Sequence, residues 1–153
     1  IKKFIILSLD NEKFTVQPQN NKKSTYWPRL KTIEQAFINW DWNIDDIITF
    51  IKAFSNPYPG ARSFTNNQMI IIEGVKKADT RMKFHPFQYG LIYRKTDRSI
   101  FVAANSGGLK INNIYDSNRD DYFNSIKIGD RIFTPRDILE KSILARPVYR
   151  PVD

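Results

Sequence analysis

The chain has no cysteine in 153 residues, which removes thiol nucleophiles, disulfides and thiolate metal sites together. It has one histidine, His85, so no cluster of several imidazoles can hold a metal. Long hydrophobic runs are missing too. The apolar stretch near the start, Phe4-Ile5-Ile6-Leu7, falls far short of the roughly 20 residues a membrane span needs, and no signal cleavage pattern follows it. These absences describe a cytoplasmic chain with no membrane partner. No internal repeat is visible. What is present, 41% hydrophobic and 26% charged positions, fits one soluble globular unit rather than two full domains. Lys plus Arg number 24 against 16 acidic residues, a formal charge of +8. Such a surface attracts polyanions, or is simply a solvated surface of one sign. The chain opens at Ile1 rather than methionine, as a piece of a longer protein would.

Charge is uneven along the chain. Residues 1–40 hold seven basic and three acidic groups, 41–60 one and three, and 61–153 sixteen and ten. Ile1 to Leu9 is apolar and reads as the last turns of a helix or a strand, too short to fold alone. Asp10 to Leu30 is polar, aperiodic and broken by Pro18 and Pro28, an extended linker carrying Tyr26-Trp27-Pro28-Arg29. That adjacent aromatic pair must dock on something, because leaving it in water is costly.

A helix follows. Asn43 caps it, Asp45 and Asp46 meet the positive end of its dipole, and Ile44, Ile47, Ile48, Ile51 and Phe54 recur at helical spacing. Ser55-Asn56-Pro57-Tyr58-Pro59-Gly60 ends it, since proline lacks the required N–H and holds its predecessor extended. The period then becomes two, predicting strands at Gln68 to Glu73, Gly90 to Arg94, Ile100 to Ala104 and Leu109 to Ile114. Asn66-Asn67, Thr96-Asp97-Arg98 and Ser106-Gly107-Gly108 are the turns. Ser125 to Ile128 and Arg131 to Phe133 flank Gly129-Asp130 as a hairpin. A last helix starts at Pro135 with Thr134 as cap and passes Ile138, Leu139 and Ile143 to about Ala145. The pattern is mainly β with two helices: a small open barrel of the oligonucleotide-binding type, preceded by a linker and a connecting helix.

Candidate chemistry is sparse. His85 lies between Lys83-Phe84 and Pro86-Phe87 with no acid close by, which favours loop packing over catalysis. Asp45-Asp46 belong to a helix start and Asp120-Asp121 to a solvated turn. Ser106-Gly107-Gly108 sits between strands and lacks the helix dipole that binds phosphate. More telling is the mixture of Arg81, Lys83, Phe84, His85, Phe87, Tyr89, Tyr93, Arg94, Lys95 and Arg98, cations interleaved with rings as an RNA ligand would use. Strand alternation alone, with aromatics inside and cations outside, produces the same list. The candidate contacts to RNA or another substrate are Arg81, Lys83, His85, Tyr93, Arg94, Lys95 and Arg98.

The order Tyr26-Trp27-Pro28-Arg29, Trp40-Asp41-Trp42, Phe50-Ile51-Lys52-Ala53-Phe54 and Pro57-Tyr58-Pro59-Gly60-Ala61 resembles the junction of formyltransferases of the methionyl-tRNA formyltransferase type and their sugar-nucleotide relatives. The residues carrying the linker motif are Tyr26, Pro28, Arg29, Trp40, Trp42, Pro57, Pro59 and Gly60. Lys52 stands where the family commonly has arginine, and Tyr58 where the tRNA enzymes commonly have tryptophan. Trp40 and Trp42 lie on one side of an extended approach to the helix, Pro57 and Pro59 fix a rigid exit, and Gly60 permits close backbone approach.

The resemblance implies a three-part layout: residues 1–40 as the tail of a catalytic domain and linker, 41–61 as connecting helix and turn, and 62–153 as the carboxy-terminal barrel with its helix. It implies formyl-tetrahydrofolate as donor for the parent enzyme, an amino sugar nucleotide or methionyl-tRNA as acceptor, and the chain's own amino-terminal catalytic domain as partner. The family's catalytic Asn-x-His is missing: Lys83 stands two positions before His85, so no catalytic residue is carried over, and no residue of this chain is assigned to cofactor or metal. The fragment alone is then inactive. Alternatives are a free-standing nucleic-acid-binding barrel and a dimerisation domain, the latter with a homodimer as its partner.

Overall fold

The structure, a computed structural model, describes residues 18, 20–25, 30–79 and 81–145. The readings placed on Ile1 to Leu9 and on Tyr26-Trp27-Pro28-Arg29 lie outside the described residues.

A single 3-10 turn, Asn21–Lys23, precedes a one-turn helix α1, Thr32–Gln35, and a turn that leads into α2, Ile44–Phe54. The predicted start of α2 is met: the Asn43 side chain accepts from the Asp45 N–H at 3.0 Å, with Asp45 and Asp46 in the first turn. Ile44, Ile47, Ile51 and Phe54 form its buried stripe, laid against the sheet. Burying each such side chain contributes about 1.5–3 kcal/mol.

Five strands follow: β1 Ala61–Thr65, β2 Gln68–Lys77, β3 Ile92–Thr96, β4 Ser99–Ala104 and β5 Gly107–Asp116. They form one antiparallel sheet in the order β1-β2-β5-β4-β3. Asn66 and Asn67 both have positive φ, 49° and 61°, the primed turn whose twist suits a two-residue hairpin. The last helix, α3, is Arg136–Leu144. The core joins α2 to the sheet through Ile38, Trp40, Ile70, Ile72, Ile100, Val102, Ile111 and Ile132. Among the described residues no helix is long and apolar enough to cross a membrane.

Four local readings change. β1 went unread because its inward positions, Ala61, Ser63 and Thr65, are small or polar, so the hydrophobic alternation that marks a strand is absent. The arms around Gly129-Asp130 do not pair with each other. Instead Gly129 N–H donates to Ile92 O, Ile92 N–H to Asp130 O and Ile132 N–H to Gly90 O, all within 2.8–2.9 Å. Phe133 then exchanges both backbone bonds with Phe64. This closing segment, residues 129–133, therefore links the free edge of β3 to that of β1, and the sheet stays open because no ladder joins those two strands. The segment thus occupies the start of the β3 edge, at Gly90 and Ile92, and the Phe64 position of the β1 edge.

The third change concerns the approach to α2, which is a turn rather than extended. Trp42 N–H donates to Asn39 O, Trp40 points inward, and Trp42 packs edge-on against Phe50 at 5.1 Å. Finally, Thr134 does not cap α3. Its hydroxyl donates to Ile38 O at 2.6 Å, and Pro135 takes the cap position without a side-chain bond.

Candidate anion-binding surface

Cross-strand partners share a face of a sheet. Lys76 of β2 is opposite Lys110 of β5, Lys110 is opposite Phe101 of β4, and Phe101 is opposite Arg94 of β3. Four positions distant in sequence thus stand in one row across the strands, on the face away from α2. The Arg94 guanidinium carbon lies 3.5 Å from the centre of the Phe101 ring, and Lys110 Nζ is 5.9 Å from the same centre. Phe101 is buried beneath them.

A bulge between Ile92 and Arg94 admits Tyr93 beside the row. Its ring is 6.3 Å from Phe101 and 5.0 Å from Phe84. Burial raises the Tyr93 phenol above its usual value, with Arg94 acting in the opposite direction. The ring therefore stays neutral at physiological pH. Lys76, Lys110 and Arg94 take part in none of the five ion pairs found among the described residues, and neither do Arg81, Lys83 and Arg98, which are exposed. Their charge is open to a ligand.

Two candidates from the sequence have other work. His85 caps the short helix Pro86–Gln88: its Nδ1 accepts from the Phe87 N–H at 3.2 Å while its backbone N–H donates to Gln88 Oε1 at 2.8 Å. Lys95 reaches off the row, where Nζ donates to Phe123 O at 3.0 Å and Ile126 O at 2.6 Å, over the Phe123 ring. Lys95→Met should then cost about 1–3 kcal/mol in chemical denaturation, because two carbonyls lose a charged donor. The same variant should leave polyanion binding unchanged; a loss of binding without a loss of stability would place Lys95 on the binding surface.

Of the linker motif, Trp40 is buried, Trp42 half-buried, and Gly60 has φ +96° with a Cβ position that would press on Ile71. Lys76, Lys110 and Phe101 escaped the sequence reading because only strand register brings them to Arg94. Elsewhere, a cleft of about 430 Å³ lies between the Trp40 turn, Pro86–Tyr89 and the closing segment. Its one guanidinium, Arg131, is tied to Tyr89 O at 2.7 Å. Among the described residues, no three His, Asp or Glu side chains converge as metal ligands would.

Comparison with known proteins bears on this geometry. A protein-family profile described as "Formyl transferase, C-terminal domain" matches residues 31–122, more than half of the chain. Curated methionyl-tRNA formyltransferases from two strains of Lactococcus lactis subsp. cremoris are 30% identical over 97 residues, covering 62% of this chain and 29% of theirs. The chain thus spans less than a third of the length of these relatives. Among solved structures, two multiply substituted variants of HypX from Aquifex aeolicus share the fold. One has a TM-score of 0.53 at 14% identity over 76% of this chain and 19% of its own; the other has 0.51 at 13% over 97% and 25%.

Proposed function

The chain belongs to the formyl transferase C-terminal domain family, and on that premise we propose that it is the substrate-positioning, carboxy-terminal part of a formyl-tetrahydrofolate-dependent formyltransferase. The acceptor is held on the outer face of the sheet, and the chemistry belongs to an amino-terminal catalytic domain that supplies the Asn, His and Asp set. The observation that carries this reading is the group of cations without carboxylate partners on one sheet face. A remote anionic part of an acceptor bound there contributes free energy that the catalytic domain uses to orient the reacting amine.

Methionyl-tRNA is the favoured acceptor, because its phosphate backbone matches a broad cationic surface and the curated relatives carry that name. The wording Trp40-Asp41-Trp42 and Pro57-Tyr58-Pro59-Gly60 supports an amino sugar nucleotide as second choice. No residue of this chain is assigned to the donor's one-carbon chemistry, and its only imidazole serves as a helix cap, Nδ1 accepting from the Phe87 N–H.

Two measurements test the reading. The 153-residue chain should bind a tRNA transcript at low salt, and log K should fall linearly with log[salt] at a slope of about −0.7 to −0.9 per phosphate contacted. Binding that is undetectable at low salt rejects methionyl-tRNA as the acceptor. The same chain assayed for formyl transfer to methionyl-tRNA should give no turnover, and measurable turnover would move the chemistry into this chain.

A further inference from the structure

We propose that Lys76, Lys110 and Arg94 form a single phosphate-reading track running across the strands, in which buried Phe101 is a positioning residue that presets the Arg94 guanidinium. This rests on the reading of the outer face as an acceptor surface and adds which residues read the ligand, how, and what length of ligand they select.

The argument begins with register. The track uses one position from each of β2, β5 and β3, with Phe101 of β4 filling the step between Lys110 and Arg94. Neighbouring strands are about 4.8 Å apart, so three steps span roughly 14 Å. A pyrophosphate group covers only a fraction of that length and can engage one end of the track. A nucleic-acid backbone crossing the strands offers a phosphate to each cation in turn. The geometry therefore selects a polymer over a sugar nucleotide.

The missing fourth cation is informative. A lysine or arginine in place of Phe101 would make four cations on four adjacent strands, and since like charges directly opposite are destabilising it would add to the cost that Lys76 opposite Lys110 already carries. The ring separates Lys110 from Arg94 and gives both a negative π face. At 3.5 Å the guanidinium lies on the ring, which removes much of the rotamer freedom that a free arginine would lose on binding. Its N–H groups make no hydrogen bond within the described protein, so their edge remains available for bidentate contact with phosphate oxygens. Tyr93 and Phe84, tilted at 5.0 Å beside the row, give an unpaired base a surface on which to stack.

The experiment uses the full 153-residue chain, a 12-nucleotide oligouridylate as probe and UDP-glucose as competitor, titrated across a salt series. Wild type should bind the oligonucleotide, and millimolar UDP-glucose should not displace it. Arg94→Gln, Lys110→Gln and Lys76→Gln should each lower affinity about five- to tenfold at low salt and reduce the salt slope by about 0.7. Phe101→Leu keeps the net charge. It should lower affinity about three- to fivefold with the slope unchanged, the size of a lost cation–π contact, and Phe101→Tyr should restore wild-type binding. Thermal melts of every variant separate loss of folding from loss of binding.

The failures are distinct. A wild type that binds no oligonucleotide overturns the acceptor-surface reading and the track with it. Wild-type binding that survives all three glutamine substitutions overturns the track alone. A normal affinity in folded Phe101→Leu overturns the positioning role, and displacement by UDP-glucose overturns the selection for a polymer.

Discussion

Trp40→Ala is expected to destabilise the protein by about 3–5 kcal/mol, the usual cost of emptying a large aromatic site in a core. A domain of this kind has about 5–15 kcal/mol in total, so the variant should unfold roughly 6–20 °C earlier. Trp40 is 6% exposed, and its Nε1–H donates to Ser63 Oγ at 2.9 Å. The Ser63 hydroxyl donates onward to Phe133 O at 2.9 Å, and the Thr134 hydroxyl beside it donates to Ile38 O. Three pieces of chain distant in sequence, the turn before α2, the edge strand β1 and the closing segment, meet at this one buried group. Ser63→Ala strands the indole N–H without an acceptor and should cost about 1–3 kcal/mol. A double-mutant cycle of Trp40→Phe with Ser63→Ala should show coupling above about 0.5 kcal/mol. Additive effects, or a Trp40→Ala loss below about 1.5 kcal/mol, would show that the indole fills space without tying the segments.

Gly90→Ala should be nearly as damaging, at about 3 kcal/mol or more, read by denaturant midpoint. Gly90 has φ +80°, and a methyl group there would run into the backbone carbonyl of Ile132, which cannot swing aside as a side chain would. That carbonyl belongs to the residue whose N–H donates to Gly90 O at 2.8 Å, while the Gly90 N–H donates to Ala103 O at 2.8 Å. Relieving the clash therefore breaks the seam between β3 and the closing segment. Gly129→Ala is the control. Its φ of +94° is similarly left-handed, yet nothing lies within 4 Å of the added methyl, so only the conformational strain of about 1–2 kcal/mol remains. Equal losses at the two positions would mean that strain, and not contact with Ile132, sets the cost at Gly90.

Much of the local structure was legible because it is written in neighbouring residues. Asn43 with Asp45 and Asp46, then isoleucines at helical spacing, announced α2; two prolines and Gly60 announced its end; Asn66-Asn67 announced a turn, though not the strand before it. β2 and β5 are longer than their apolar cores predicted, reaching Lys77 and Asp116, because the end of each strand pairs with the apolar stretch of the other, Lys77 with Leu109 and Asp116 with Ile70, which alternation within one strand does not reveal. The candidate surface was half visible. Arg94 and Tyr93 stood out as a cation and a ring in sequence, but Lys95, next to them, points to the opposite side and is spent on two carbonyls.

The sequence by itself determined the absence of thiol chemistry, the mainly β architecture after one connecting helix, the basic balance and the family to which the junction motifs belong. Those properties are local or additive, set by composition, by periods of two and 3.6, and by turn residues. Tertiary structure alone decided how the sheet's edges are covered, why Ser63 is buried, and which cations are free. Register fixed the last of these: whether a lysine faces solvent beside Phe101 or a carbonyl depends on what lies on the next strand, and Lys76, Lys110 and Arg94 share one row because hydrogen-bonded ladders set them one and two strand steps apart, each step about 4.8 Å.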